Sequence, residues 1–390
     1  MSSIRKNIWD LDNHYDLTKS GQNTYYDPAG PFELWTVGSG VMGALGNSSL
    51  IPRSSPVQIP GTNWEYVSGN YNAALAIKND EGERTLWSWG YNAYGDLGQN
   101  DAIPRSSPVQ IGSDTTWSVI QGGDTFQLAI KTDGSLWAWG NNDKGMLGQN
   151  NVITYSSPRQ VGSDSTWSKI AGNRTGAVAI KTDGTLWVWG NNSWADLGIS
   201  KNPAELTSVS SPVQLPGNQW NSVCHAYYNK MATKTDGTLW AWGKNSYGQL
   251  GLGDILTRSS PTQIPGSIWS HVPQSQSYNT YAFQTDGTLW SMGGYAWYGR
   301  NGNSLPTLNN SSPVQLPGTQ WSSMSSCYYV PIALKNDGTA WSWGYNSYGA
   351  LGLGDREARS SPTQIPGTLW QRSGAMGYTL NTVLLLKTPT

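Results

Sequence analysis

Leu136-Trp137-Ala138-Trp139-Gly140 reads as a short strand with apolar side chains on both of its faces. Such a strand needs cover on two sides, which a lone half-exposed sheet does not give. The same phrase is complete at Leu86–Gly90, Leu186–Gly190 and Leu239–Gly243, and altered at Leu34–Gly38, Leu289–Gly293 and Ala340–Gly344. Its first tryptophans are spaced 50 to 53 residues apart. A Ser-Ser-Pro phrase follows each copy, beginning at Ser54, Ser106, Ser156, Ser210, Ser259, Ser311 and Ser360. A third marker is Trp64, Trp117, Trp167, Trp220, Trp269, Trp321 and Trp370. Three markers agree on the period, so the chain is a repeat array.

Each unit reads as four strands. Around the third complete marker set these are Leu136–Trp139, Arg159–Val161, Trp167–Ile170 and Ala177–Lys181. The last runs through Thr182-Asp183-Gly184 into the next Leu-Trp strand. Asp-Gly between apolar runs signals a tight hairpin, because Gly takes the positive φ such a turn demands. It recurs at Asp133, Asp183, Asp236, Asp286 and Asp337, with Asn79-Asp80-Glu81-Gly82 as the longer equivalent.

Four-stranded units of about fifty residues, packed on neighbours through both faces, predict an all-β, seven-bladed β-propeller. A solenoid would need polar caps. Here the repeats open at the Leu34 strand and finish with Val383–Lys387, the strand that elsewhere precedes it. The N- and C-terminal strands are therefore expected to close one blade jointly. The propeller is expected over residues 32–390, and residues 1–31 as a polar N-terminal arm. Ile8, Trp9, Leu11, Tyr15, Tyr25 and Tyr26 are its candidate anchors into a larger assembly.

The pattern Asp-Gly-x-Leu-Trp-x-Trp-Gly-x-Asn-x-x-Gly-x-Leu-Gly, clearest at Asp236–Gly251, resembles the repeats of the regulator of chromosome condensation family. Asp337–Gly352 carries it with Ala340 at the Leu position. The resemblance covers about residues 32 to 388 and implies a seven-bladed propeller, here expected to be of bacterial or phage type. The family includes exchange factors and enzyme inhibitors, so the resemblance leaves the activity open. The basic, DNA-contacting tail of the eukaryotic founder has no counterpart in this sequence.

Composition narrows the function classes. The chain of 390 residues holds 46 Gly, 22 Trp and 20 Tyr but only 13% charged residues, which suits short packed strands and tight turns. Its net charge is −1 and no run of five like charges occurs, so no footprint for nucleic acid is expected. No apolar stretch has the length of a membrane span, and the first residues lack the apolar core of a secretory signal. Cys224 and Cys327 stand in different repeats and frame no disulfide scaffold. Asn173-Arg174-Thr175 fits a glycosylation sequon and is read as incidental.

No catalytic, cofactor or metal site is expected. His14, His225 and His271 are far apart and without metal-ligand spacing. Gly38-Ser39-Gly40-Val41-Met42-Gly43 matches the dinucleotide fingerprint, but no amphipathic helix follows to present its N-terminus to a phosphate. The repeat loops at Gly90–Gly95, Gly140–Gly145 and Gly344–Gly349 share that spacing, which points to loop structure.

Residues that change between repeats are the informative ones for binding. At one hairpin tip stand Tyr71, Phe126, Arg174, Tyr227 with Tyr228, Tyr278, Tyr328 and Tyr378. In the loop after Leu-Trp-x-Trp-Gly stand Trp194, Tyr247 and Trp297, and the insertions Ile199–Val209 and Gly299–Asn309 interrupt the period nearby. Aromatics and Arg supply interface anchors. These positions predict a non-enzymatic interaction module, expected in a phage virion in a structural or host-recognition role. Its partners would be capsid or tail proteins, or a host surface glycan or protein. The location would be the virion, or else the cytoplasm. The alternatives are a lectin-like propeller, or a protein inhibitor or exchange factor that uses one propeller face.

Overall fold

The computed structural model describes residues 32–69, 73–266, 268–275, 278–294, 299–304, 310–327, 329–376 and 381–389, with backbone only at 375–376. The arm candidates Ile8, Trp9, Leu11, Tyr15, Tyr25 and Tyr26 lie outside these residues. Among the described residues the named regular elements are β-strands and a 3-10 turn at Val41–Gly43.

One repeat shows the plan. Trp167–Asn173 pairs antiparallel with Gly176–Lys181, which pairs with Leu186–Asn191, which pairs with Ser208–Gln214. The first strand of each sheet lies innermost. There Gly122 N donates to Ser68 Oγ at 3.1 Å, and Asn173 Nδ2 to His225 O at 3.0 Å. Gln274 Nε2 reaches Ile170 O, two repeats away, at 3.4 Å, so strands of three repeats meet at the axis.

The expectation of a seven-bladed propeller is corrected. Five blades stand as separate sheets, four of four strands and one of five. The remaining strands form one continuous seven-stranded sheet. The cause is Arg53–Gly69, an unbroken strand of 17 residues. Its first part pairs with Phe32–Gly38 (Thr36 opposite Val57), and its last part with Ala73–Asp80 (Val67 opposite Ala76). Phe32 sits opposite Trp64, beyond the corner, and carries the ladder across it. In the same sheet Thr382–Lys387 lies between Trp370–Met376 and Phe32–Gly38. Thr382 Oγ1 donates to Ser39 O at 2.8 Å, joining residues 343 apart in sequence. In the five-stranded sheet the extra strand is Gln274–Ser275, paired parallel with Trp321–Ser326.

The repeated phrases have physical jobs. In Asp-Gly-Thr-Leu-Trp, Asp183 Oδ1 accepts from the Thr185 N–H at 2.9 Å and its hydroxyl at 2.7 Å. Thr185 Oγ1 in turn accepts from Trp187 Nε1 at 2.9 Å. Lys181 closes the stack, its Nζ 4.0 Å from the Trp187 ring centre. The second Trp of the phrase is fully buried at Trp89, Trp139, Trp189, Trp242 and Trp343. Each donates its Nε1 to a backbone carbonyl of the preceding repeat, for instance Trp189 to Met146 O at 2.7 Å. Neighbouring sheets are thus joined by one buried hydrogen bond inside an apolar contact. Gly198 must be glycine there: its φ is +71°, and a Cβ would lie 2.6 Å from Trp242 Nε1.

Asn142 organises the loop after the Trp strand. Its amide donates to Asn151 O and Ile153 O at 3.0 Å each, and its Oδ1 accepts from Leu147 N at 3.0 Å. Asn92, Asn192, Asn245 and Asn346 repeat the clamp. The glycines of the fingerprint-like phrase serve this loop. Gly95, with φ +74°, packs so close to the next repeat that a Cβ would meet Ser156 Cβ at 2.5 Å.

Candidate functional site

Strand register places two kinds of loop at the same end of the molecule. Gly176 is opposite Gly190, so the tip holding Arg174 lies beside the loop that begins at Asn191. Asn229 is opposite Gly243, which sets the Tyr227-Tyr228 tip beside Lys244. Lys244 N donates to Tyr228 O at 3.0 Å.

Four sequence candidates come together there: Arg174, Trp194, Tyr228 and Tyr278. The Trp194 and Tyr228 ring centres are 5.2 Å apart, and Tyr228 and Tyr278 are 6.3 Å apart. Tyr227 links them, 4.2 Å from Tyr228 and 4.6 Å from Tyr278. Tyr247 flanks Tyr278 at 5.6 Å. Trp194 is 39% exposed, far more than the core tryptophans. The Arg174 guanidinium lies 5.4 Å from the Tyr227 ring centre and hydrogen-bonds its hydroxyl. Arg174 also stands 3.9 Å from Asp124. Burial raises the Asp124 carboxyl to about 6, against the pull of Arg174.

Lys244 was not legible as a site residue. Its ammonium sits 3.9 Å from the Trp194 ring centre, 5.0 Å from Tyr228, and 5.9 Å from both Tyr247 and Tyr278. Burial lowers its pKa. Phe126, in contrast, is fully buried in the core and offers no exposed contact. Tyr71, Tyr328, Tyr378 and Trp297 lie outside the described residues.

Beneath this mouth is a buried polar network. Asp196, Lys230 and His225 are each 0% exposed. Lys230 Nζ lies 3.2 Å from Asp196 Oδ2 and donates to Asp196 O at 2.7 Å. Thr175 Oγ1 is 2.5 Å from Asp196 Oδ2 and 3.0 Å from His225 Nε2, with one proton to share between them. His225 Nδ1 donates to Gly176 O at 2.9 Å. Burial would raise the Asp196 carboxyl, but Lys230 and the other donors hold it down at about 2. Burial lowers His225 to about 4, so the ring is neutral. Thr175 and Asp196 approach the same ring nitrogen, so the group is no hydroxyl–imidazole–carboxylate relay. Its signal was positional: Lys230 stands where other repeats place Ala74, Gln127 and Ala177, each paired opposite the second Trp.

Among the described residues no group of three or more His, Cys, Asp or Glu could hold a metal ion. No helix among them is long and apolar enough to cross a membrane.

The fold and its loop end define a repeat propeller with an aromatic and cationic mouth. Residues 33–381 match the RCC1-like domain, and the chain belongs to that family. Over 124 residues the chain is 30% identical to Alsin of Mus musculus and 28% identical to Alsin of Homo sapiens. Those stretches are 30% of this chain and 7% of either Alsin. Yeast RCC1 (Prp20), solved bound to Kap60, superposes with a TM-score of 0.82 at 19% identity, covering 100% of this chain and 95% of that one. Prp20p of Saccharomyces cerevisiae, a structure described with its binding to Gsp1p and histones, gives 0.81 at 19% identity, with 99% and 96% covered. Human WBSCR16 gives 0.79 at 18% identity, with 92% and 99% covered. At these identities the structures establish the fold alone.

These findings correct several expectations. The bacterial or phage type of the repeat is replaced by an RCC1-like domain whose quoted relatives are mammalian and yeast proteins. The phage-virion function, with its structural or host-recognition role, falls with it. Capsid proteins, tail proteins and host glycans are likewise overturned as partners, since the yeast relative is described with Kap60, Gsp1p and histones. The virion or simple cytoplasmic location goes for the same reason. The error had one physical source: Trp-rich repeats report packing, and packing carries no information about the organism or the partner.

Proposed function

We propose that the chain is a non-enzymatic interaction module that grips a protein partner through one propeller face, in the manner of an inhibitor or exchange factor. The observation that carries this is the gathering of Arg174, Trp194, Tyr227, Tyr228, Tyr247 and Tyr278 in one mouth. Tyr, Trp and Arg dominate binding energy at interfaces because they combine large contact area with polar tips. The rigid sheets below let these side chains meet a partner with little ordering cost. The yeast relative described with Kap60, Gsp1p and histones supports a protein as the ligand class. Residues 1–31 are read as an N-terminal arm that anchors the chain in an assembly, and residues 32–390 as the propeller.

The test is site-specific photo-crosslinking in cells that make the chain, with the photoreactive residue at position 194 or 228. A protein adduct at these positions, lost on Tyr278→Ala, is the expected result. Adducts that form only from the opposite end of the propeller would refute the assignment of this face.

A further inference from the structure

We propose that the mouth takes an acidic side chain, Asp or Glu, of the partner protein, seated on the Lys244 ammonium with Arg174 alongside. This rests on the mouth being the contact face.

Lys244 carries the argument. Its ammonium has three N–H donors. Among the described residues its side chain meets only aromatic faces, and no carboxylate lies within ion-pair distance. Two lysines of the repeats contrast with it. Lys131 and Lys181 lie over tryptophans too, but each also pairs with a carboxylate, Asp114 and Asp164. Among the described residues Lys234, Lys335 and Lys387 also lie over tryptophans without a carboxylate, but Lys244 has the aromatic half without the acidic half at the mouth, over the exposed Trp194. Burial already lowers its pKa, as expected of a cation short of a counter-charge. Arg174 adds a second positive group to the same mouth. Among the described residues Asp124 stands 3.9 Å from it, and burial holds that carboxyl partly protonated near pH 6.

A carboxylate arriving from outside completes the missing half. It accepts from the ammonium, while the rings of Trp194 and Tyr228 exclude water around the pair and strengthen it. Charge complementarity therefore favours an acidic partner over a basic one, which two cations would repel.

The experiment uses the full chain with a short, C-terminally amidated glutamate-rich peptide and its glutamine counterpart. Calorimetry gives the affinity, and the indole N–H resonance of Trp194 reports the place. The glutamate peptide is expected to bind and shift that resonance, and the glutamine peptide to do neither. A charge-assisted hydrogen bond contributes enough that Lys244→Met should weaken binding by about tenfold or more. Lys244→Arg should hold it within about threefold. Met keeps the apolar stem over the rings, and an unchanged melting temperature confirms that the variant is folded. Binding that survives Lys244→Met, or that leaves Trp194 unshifted, overturns the acidic assignment. The crosslinks from positions 194 and 228 separate the two readings. If they persist in the Lys244→Met chain, the mouth stands and only the carboxylate falls; if they never form, both fall.

Discussion

Replacing Lys230 by Met removes one half of a fully buried ion pair and leaves the other half in place. Asp196 would keep Thr175 as a donor but lose an ammonium 3.2 Å from its Oδ2. Breaking a buried pair from one side costs about 3–5 kcal/mol, because the remaining charge has neither water nor partner. Unfolding entropy of about 2.1 cal/mol/K per residue, over roughly 360 residues, gives about 0.75 kcal/mol/K. The melting temperature should therefore fall by about 4–7 °C. The control comes from a neighbouring interface, where Met146 and Ala177 occupy the positions of Asp196 and Lys230. Asp196→Met with Lys230→Ala copies that apolar pair, and His225 keeps its bonds to Thr175 and Gly176. The double variant should lie within about 1 kcal/mol of the parent, since buried pairs exchange with apolar ones at little net cost. Differential scanning calorimetry measures both. A single variant within 1 °C of the parent, or a double variant as unstable as the single, would refute this account of the interface.

Other perturbations test other parts of the scheme. Burial lowers His225 and His271 to about 4 from 6.5, so the unfolded chain binds protons that the folded chain does not. Their contribution is whole above pH 6.5 and is lost as pH falls toward 4. Asp124, raised to about 6, works the other way across the same range, and the two histidines outweigh it. Thermal stability should fall from pH 6.5 to pH 4, and His225→Gln should leave the melting curve nearly level there. Gly198→Ala combines a left-handed φ with a Cβ 2.6 Å from Trp242 Nε1 and should cost about 2–4 kcal/mol in chemical denaturation. Gly82→Ala, at φ +102° with open space around it, should cost only the backbone strain, about 1 kcal/mol. Asn142→Ala strips the buried Leu147 N–H of its acceptor and should cost about 1–3 kcal/mol, read by the same denaturation.

The repeat and its strand content were legible because three markers recur with one period, and residues in and beside the first of them have local structural tasks. Trp189 reaches the preceding repeat, Asp183 ties its turn, and Asn142 clamps its loop. Blade separation was not legible. It depends on whether a corner breaks the ladder, and Phe32 opposite Trp64 keeps it whole at one corner only by reaching across from another part of the chain. Part of the mouth could be read from the variable tips, since Arg174, Trp194, Tyr228 and Tyr278 depart from the repeat. Phe126 departs from it too, yet its ring turns inward and fills the space beside Gly123. Sequence variation marks a position as special without saying which way its side chain points. Lys244 escaped notice because its neighbours in space come from three other loops as well as its own.

The buried network and the mouth are adjacent along the chain as well as in space. Thr175 follows Arg174, Asp196 is two residues beyond Trp194, His225 two before Tyr227, and Lys230 two beyond Tyr228. Gly243, next to Lys244, packs so tightly on Asp196 that a Cβ would come within 3.0 Å of the Asp196 Cβ. Every loop that supplies Arg174, Trp194, Tyr227, Tyr228 or Lys244 is thus pinned within two residues by a group of the network. If the ion pair adds little net stability, its effect lies in fixing those loops relative to one another, because directional bonds tolerate less displacement than apolar contact. The double variant Asp196→Met, Lys230→Ala separates the two roles. It should melt near the parent temperature yet bind the glutamate peptide several-fold more weakly, with broadened resonances for the Trp194 indole. Unchanged affinity and linewidth in that variant would mean that the apolar packing alone sets the mouth, and that the buried charges do nothing for it.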